Sequence, residues 1–585
     1  MSTATLAAAH GARPWMGLAV RKHWLPLLLA MVLAALVLAP LGRIAWVTVA
    51  GHGLQVWQDV LAGSISRSLL WRPLWHTLVI GLATVAGTLL IGGGLAWLVV
   101  MTTVPLRRTI AVLAALPFVI PSFASAFAWG VVFRNERVGG SVGWLAQWGV
   151  PVPDWLAWGL TPTTLVLVLH YSSLVFMLVA AALSSVHADM VEAAHMTGAS
   201  RTRVLTGIVL PVVSPAIISA SSLVLAGAVS NFAAPALLGL PVNTHTLSTR
   251  LYGMISTGSE ARGYVLSLIL IGISALVLWY ATRAITGRKS FATLTGKGGR
   301  TRRFDLGAWR WPMALIGLAL GLLATLVPML VLVLSSFAVE SGNLSAGLTL
   351  HYWFGPAGTA VAQGMGGVLR DGQLLRALGI TIGLGVAVAL CSMLLGLLTA
   401  YVTARHKGSW LSGPLATMAF IPSMVPGIAF GAGFIALFGQ GWGPVPALYG
   451  TFTLLVIAGT AYTLPFSVQS ARAAMAQVAG DIEDAATIAG ASLPRRLLSI
   501  YLPLTLRSLL AGGVLVVVKM VRDLSLVMLL FTPAMPVLSV VAYRYASEGF
   551  LQHANAITTL ITLISVLATM AAEKLKNASQ PWMKD

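Results

Sequence analysis

Three ionisable residues sit in an otherwise apolar run. The stretch GGVLVVVKMVRDLSLVML carries Lys519, Arg522 and Asp523. Charges among hydrocarbon are costly, so they are usually paired or line a water-filled route. Lys519 and Asp523 are four apart, which on a helix puts them on one side. The residue 292 positions before Asp523 is Asn231, in AVSNFAAPALLG. These residues suit a polar constriction along a membrane path, or an ion pair that fixes helix packing. His170, in another apolar run, reads as a packed or water-lined histidine rather than a metal ligand.

Hydrolytic chemistry has no foothold. There is no G-x-x-x-x-G-K-[ST] phosphate cradle; the one Gly-Lys, Gly296-Lys297, is followed by Gly298. Without the cradle and its Mg²⁺-binding hydroxyl, the chain is not expected to hydrolyse ATP. No Ser/His/Asp set, HExxH or paired carboxylates stand out. The single Cys391 excludes an internal disulfide and suggests no cysteine metal site.

A second group of polar residues occurs twice. VEAAHMTGASRTRVLTGIVLP runs from Val191 to Pro211, and DAATIAGASLPRRLLSIYLP from Asp484 to Pro503. Gly198 and Gly490 are 292 residues apart, as are Pro211 and Pro503. The alanines favour a short helix. Gly198 and Gly490 permit the left-handed turn that ends one. Arg203 and Arg495 follow, and then Leu-Pro, which can redirect the chain as it enters the membrane. A short alanine-faced helix, a turn and a second element would suit docking of another protein.

The elements that hold these residues are membrane helices. The chain of 585 residues is 57% hydrophobic and 9% charged, far below the roughly 25% of soluble domains. About 20 apolar residues make a span. Candidates fall at 24–48, 74–101, 109–133, 162–186, 207–228 and 263–282, then 312–335, 376–402, 412–437, 447–468, 506–530 and 556–573. The expected fold is an all-α membrane protein of about twelve spans, six in each half. With the N-terminus inside, two thirds of the 36 lysines and arginines fall on cytoplasmic segments. That is the positive-inside pattern, so the net charge of +20 reports topology rather than nucleic-acid binding. The N-terminal basic cluster and long apolar run read as a retained anchor. Segment 287–310 reads as a basic linker between a first repeat, 1–286, and a second, 311–585. The Trp-rich segment 134–161 is expected at the membrane interface, with a short surface helix.

The duplication extends further. Pro121-Ser122 matches Pro422-Ser423, Thr77 matches Thr381, and Leu247-Ser248 matches Leu538-Ser539. An even number of crossings per half makes the halves parallel, with a pathway between them. Both polar islands then fall on cytoplasmic loops, 187–211 and 469–503.

The islands resemble the EAA motif of ATP-binding-cassette importer permeases, E-A-A, three residues, G, nine residues, I-x-L-P. The first copy matches at Glu192, Ala193, Ala194, Gly198, Ile208, Leu210 and Pro211. The second matches at Ala485, Ala486, Gly490, Ile500, Leu502 and Pro503, with Asp484 for the Glu. The fused layout, LAALPFVIPSFASAFAW and the stretch 521–550 resemble permeases of the ferric-iron type; thiamine, 2-aminoethylphosphonate and polyamine permeases are near relatives. The resemblance implies a multi-pass protein of the bacterial inner membrane with both termini cytoplasmic. It implies a homodimer of ATPase subunits seated on the two islands and binding the ATP and Mg²⁺, and a periplasmic substrate-binding protein, with no cofactor in this chain. Ferric iron is the leading cargo. Carboxylate and tyrosine oxygens would be expected to bind it tightly, and no intramembrane cluster of them stands out. The rival from another class is a carrier driven by an ion gradient, for which Asp523 is the obvious carboxylate.

Overall fold

The computed structural model describes residues 14–578 except 52, 187–191, 195, 287–302, 360, 406–409, 442, 444 and 477. Most of the basic linker, the start of the first polar loop and Arg13 and Lys584 of the terminal basic clusters lie outside the described residues.

Long apolar helices dominate because backbone groups in hydrocarbon must be satisfied within their own segment. They are α1 (Trp24–Ala50), α2 (Arg67–Met101), α3 (Arg107–Phe118), α4 (Ser122–Phe133), α5 (Leu160–Ser184), α6 (Thr202–Ser230) and α7 (Glu260–Ala284). The second half repeats the series as α8 (Gly307–Phe337), α9 (Gly372–Arg405), α10 (Ser412–Ser423), α11 (Gly427–Phe438), α12 (Phe452–Met475), α13 (Leu493–Val521) and α14 (Leu551–Leu575). Ten of these are long and apolar enough to cross a membrane, or twelve crossings with the pairs α3/α4 and α10/α11 each taken as one span. The chain is an all-α membrane protein, with one small hairpin of β1 (Ala338–Glu340) and β2 (Asn343–Leu348) at a loop. The Trp-rich loop holds two four-residue helices, Trp144–Gln147 and Asp154–Ala157.

Two expected straight spans, 109–133 and 412–437, are broken. α3 and α4 meet at 100°, and α10 and α11 at 109°. Pro121 and Pro426 sit at the breaks with extended backbone, ψ 140° and 135°. A proline lacks the N–H that would continue the helix and pushes the residue before it out of the helical region. Hydropathy reports composition and not direction, so the bends leave no trace in it. The breaks also correct the repeat register. Pro117 and Pro422 each lie in a three-residue 3₁₀ turn, and Pro121 and Pro426 each cap the next helix. The true partners are therefore Pro117 with Pro422 and Pro121 with Pro426; the match of Pro121-Ser122 to Pro422-Ser423 is four residues out.

The halves interlock. Leu25, Leu29 and Leu33 of α1 pack with Leu397, Leu415 and Leu464 of the second half. Ala314 of α8 packs with Leu98 and Ile110 of the first. Arg43 Nε donates to Ala436 O at 3.3 Å, and Thr325 Oγ1 donates to Leu113 O at 3.0 Å. A third cluster, with Phe123, Phe232 and Leu247 beside Phe430, Leu538 and Ile557, joins both halves at the centre.

Candidate functional site

The two polar loops fold alike. Glu192, Ala193 and Ala194 are helical, and the second copy forms a helix at Gly480–Ile488. Gly198 and Gly490 close these turns in the left-handed region, φ 77° and 78°. Ala199 N–H donates to Ala194 O at 3.0 Å, and Ala491 N–H to Ala486 O at 2.9 Å. This is the bond that satisfies an end carbonyl when a left-handed residue stops a helix. Glu192, Ala193, Arg203, Asp484, Ala485 and Arg495 are exposed, and Ala194 and Ala486 half-buried. Met196 and Ile488, also 292 apart, are 89% and 88% exposed. Both loops thus hold a large apolar side chain out at the matching place.

The Leu-Pro pairs do not redirect the chain. Short helices Arg201–Val204 and Leu493–Arg496 each pass through one π-helical turn, Leu205–Val209 and Leu497–Tyr501, and continue into the long helix. The wider turn accommodates a proline that cannot donate from its nitrogen.

One residue of the second loop has a role its sequence position does not announce. Glu483, beside Asp484, is 7% exposed. Its carboxylate accepts from the hydroxyls of Tyr401 and Tyr501. Arg405 Nε lies 3.3 Å from one oxygen and Arg496 Nη1 3.2 Å from the other. Arg405 also donates to the Tyr501 hydroxyl and to Val478 O, both at 2.9 Å. The cluster ties the loop helix to the ends of α9 and α13. The repeat places Val191, Met101, Val204 and Val209 where the second half has Glu483, Arg405, Arg496 and Tyr501. Met101, Val204 and Val209 are packed in one apolar cluster. The two polar loops are thus alike in outline and held by different forces.

Inside the bundle, Asn231 and Asp523 occupy equivalent corners. The Asn231 side chain accepts from Ala234 N–H at 3.0 Å, and Asp523 from Leu526 N–H at 2.8 Å. Ser248 Oγ donates to Asn231 O at 2.8 Å, and Ser539 Oγ to Asp523 O at 2.7 Å. Thr77 Oγ1 receives Leu247 N–H, and Thr381 Oγ1 receives Leu538 N–H, each at 2.9 Å. Tyr171 lies beside the Asn231 side chain, and Tyr462 beside Asp523. The two tyrosines are 291 residues apart and are missed by charge-based reading; helical periodicity in the repeat could have paired them. Asn231 also donates to Ser122 Oγ at 3.1 Å, at the start of the bent helix α4.

The three charges do not share a helix face. α13 ends at Val521, Arg522 is its cap, and Asp523 turns away to cap Leu526. A helical i, i+4 pairing of Lys519 with Asp523 is therefore not formed. Lys519 Nζ lies 4.0 Å and 3.8 Å from the ring centres of Tyr462 and Phe466, a cation over aromatic faces. Arg522 reaches across to the other half. It donates to Phe118 O at the end of α3 and sits 5.0 Å from the Phe118 ring. A cation at the carbonyl end of a helix is favoured by the local dipole. His170 is buried and stacked on Phe118 at 5.9 Å, a packed histidine as expected. Among the described residues no three His, Cys, Asp or Glu side chains converge to hold a metal.

A twofold-repeated helical membrane protein with paired exposed loops at one end and a polar plug between its halves has the build of a permease. The binding-protein-dependent transport system inner membrane component family matches at residues 88–289 and again at 392–585. The chain belongs to that family, whose members are permease subunits of ABC transporters. It is 30% identical over 56% of its length to the probable ABC transporter permease protein y4fN of Sinorhizobium fredii, covering 56% of that protein. It is 25% identical over 75% of its length to the putative ferric transport system permease protein FbpB 1 of Haemophilus influenzae, covering 67% of it. It is 24% identical over 43% of its length to the putative 2-aminoethylphosphonate transport system permease protein PhnV of Salmonella typhimurium, covering 88% of that protein. The chain spans between about half and two thirds of the length of the first two relatives.

Proposed function

We propose that this chain is the transmembrane permease of an ATP-driven importer. A homodimer of ATPase subunits docks on the loops around Gly198 and Gly490, a binding protein delivers cargo to the opposite, outward face, and both termini lie in the cytoplasm. The observation that carries this reading is the duplicated helix–left-handed glycine–helix unit with Met196 and Ile488 held in solvent. Glu192, Ala193, Ala194 and Arg203, and Asp484, Ala485, Ala486 and Arg495, form the contact faces. ATP and Mg²⁺ are bound by the partner, which supplies the hydrolysis. When ATP draws the ATPase dimer together, the loops approach each other. The Arg522–Phe118 contact between the halves then parts and the route opens outward; hydrolysis returns it. Asn231, Lys519, Arg522 and Asp523 form the constriction.

Ferric iron is the proposed cargo, supported by the ferric transport name of one relative. A phosphonate, thiamine or polyamine is the alternative within the same class.

The test is affinity purification from the source membranes in mild detergent, with mass spectrometry of what comes with the chain. A Walker-A ATPase that is lost in a Glu192→Arg, Asp484→Arg double variant is the expected result. A chain that arrives without an ATPase, at several salt and nucleotide conditions, overturns the reading and favours a gradient-driven carrier.

A further inference from the structure

The outward end of the bundle holds two cavities related by the repeat. One has a volume of about 400 Å³ and is lined by the end of α4, the segment 236–241 and the residues around Tyr543–Asn555. The other, about 760 Å³, is lined by the end of α11, the segment 528–531 and Tyr252–Tyr264. One wall corresponds between them: Tyr543 with Tyr252, Ser547 with Ser256, Leu551 with Glu260, Asn555 with Tyr264. At the corner where the first has Arg134 the second has Gly439.

Arg134 is the odd residue. The larger cavity of the other half has no side chain at that place and takes its charged residues, Arg43 and Glu260, from other positions, so the fold does not require an arginine there. Its guanidinium carbon lies 5.3 Å from the centre of the Trp158 ring, and its Nε is buried with no hydrogen-bond partner. Among the described residues no carboxylate pairs with it: Glu136, two residues on, makes no ion pair with it, and two other carboxylates are engaged elsewhere. Asp154 takes Arg137 at 3.0 Å and the Asn135 amide at 2.7 Å. Glu548 takes Arg544 at 3.2 Å. Asn135 in turn accepts Trp158 Nε1–H at 2.9 Å, which fixes the ring beneath the guanidinium. A guanidinium fixed on a ring, short of a partner and facing a cavity is prepared for an incoming oxyanion, whose geometry matches its fork of N–H donors. Around it the cavity is mostly apolar with a few convergent hydroxyls and an amide, Ser141, Ser341, Tyr543, Ser547 and Asn555, the usual make-up of a small-molecule site.

One helix joins the cavity wall to the Asn231 corner. Helix α4 starts at Ser122, which receives Asn231, and ends beside Arg134. Its 12 residues cover about 18 Å. Arg522 and Lys519 wait at the inner end, against the single carboxylate of Asp523. With Arg43 and Glu260 offsetting each other in the second cavity, the uncompensated charges are Arg134 and the excess of Lys519 and Arg522 over Asp523, which favour a negatively charged traveller over a bare cation.

We propose that the Arg134 cavity is an oxyanion subsite, the first point at which cargo carrying a phosphonate, phosphate or carboxylate group meets the permease. This rests on the importer reading and narrows its cargo to a phosphonate or an anionic ferric complex, setting polyamines aside.

The experiment is calorimetric titration of the purified full chain in detergent with inorganic phosphate, 2-aminoethylphosphonate, citrate, ferric citrate and putrescine. Saturable binding of at least one oxyanion is expected, weakened about tenfold or more by Arg134→Gln and largely kept by Arg134→Lys, with putrescine silent. Binding of 2-aminoethylphosphonate assigns a phosphonate cargo; preference for ferric citrate over citrate assigns the iron complex. No saturable oxyanion binding by the native chain, or equal binding by Arg134→Gln, overturns the subsite. Size-exclusion profiles show whether each variant is folded, and Arg134→Lys keeps the test open if Arg134→Gln is not. The outcome is separable from the importer reading. A chain that purifies with its ATPase and binds no oxyanion removes only the subsite; one that binds oxyanions and brings no ATPase removes only the importer.

Discussion

Replacing Glu483 by glutamine should loosen the second polar loop and leave the first untouched. The carboxylate side chain is 9% exposed, and its arginine partners 25% and 18%. Glutamine keeps one acceptor oxygen but turns an N–H₂ toward one of the two guanidinium groups. Removing one partner of a buried ion pair costs about 3–5 kcal/mol because the other charge is stranded. Here the arginines keep some access to water and Arg405 keeps Val478 O, so about 3 kcal/mol is the working figure. At 1.4 kcal/mol per tenfold, that makes local opening of the Gly480–Ile488 helix roughly a hundredfold more frequent. Amide hydrogen exchange read by mass spectrometry, on the chain in lipid nanodiscs, measures it directly. Peptides covering 480–491 should exchange about a hundredfold faster in Glu483→Gln, and peptides covering 192–199 should not change. Tyr401→Phe, which removes one hydrogen bond, should have a smaller effect of about 1 kcal/mol, or roughly fivefold. If 480–491 exchanges within threefold of the native rate in Glu483→Gln, the buried cluster does not hold the loop and the argument fails.

Two further outcomes follow from the repeated frame. Gly198→Val with Gly490→Val should abolish uptake while leaving the chain in the membrane: nothing lies within 4 Å of a Cβ at either place, so the whole effect is left-handed strain, about 1–2 kcal/mol per site; normal uptake by the double variant would count against loop docking. Thr77→Val and Thr381→Val each strand a buried backbone N–H, that of Leu247 or Leu538, and should each cost about 1–3 kcal/mol. Thermal unfolding in detergent should show similar losses for the two, and a loss confined to one would mean that the matched bonds are not equivalent.

The repeat was legible because its marks are backbone-determined. Gly198 and Gly490 must take a conformation that other residues resist, so the glycines survive at fixed spacing. Asn231 and Asp523 were found by that same spacing, since each caps a short helix three residues on. The broken spans were not legible, because the residues of α3 and α4 are as apolar as those of a straight helix. The register error at the prolines has a similar cause. Each half carries two prolines four residues apart, and the serine after one of them matched the wrong partner. The Glu483 cluster was hidden for another reason. Its members come from α9, the loop helix and α13, up to 100 positions apart from Tyr401 to Tyr501, and no local pattern brings them together. Reading Asp484 as the motif acid drew attention to the exposed neighbour of the residue that is buried.

Where the two halves agree and where they differ sorts framework from specialisation. The bonds Thr77–Leu247 and Thr381–Leu538, the Asn231 and Asp523 caps and the two glycine turns are the same physical solution made twice. A contact kept through divergence of almost every side chain around it is one the backbone needs. The differences lie where the backbone needs nothing. Arg134 faces Gly439 across the repeat, and the ionic Glu483 cluster faces packed valines and a methionine. At those positions the fold tolerates either choice, so what stands there is free to follow what passes between the halves and what presses on the loops. The outward cavities differ in charge, a difference the proposed oxyanion subsite would use. The inner loops differ in anchorage although the proposed ATPase partners are identical to each other. An identical push on two loops of different stiffness would move one before the other, and the apolar anchor, with no charge to strand, is the one expected to yield first.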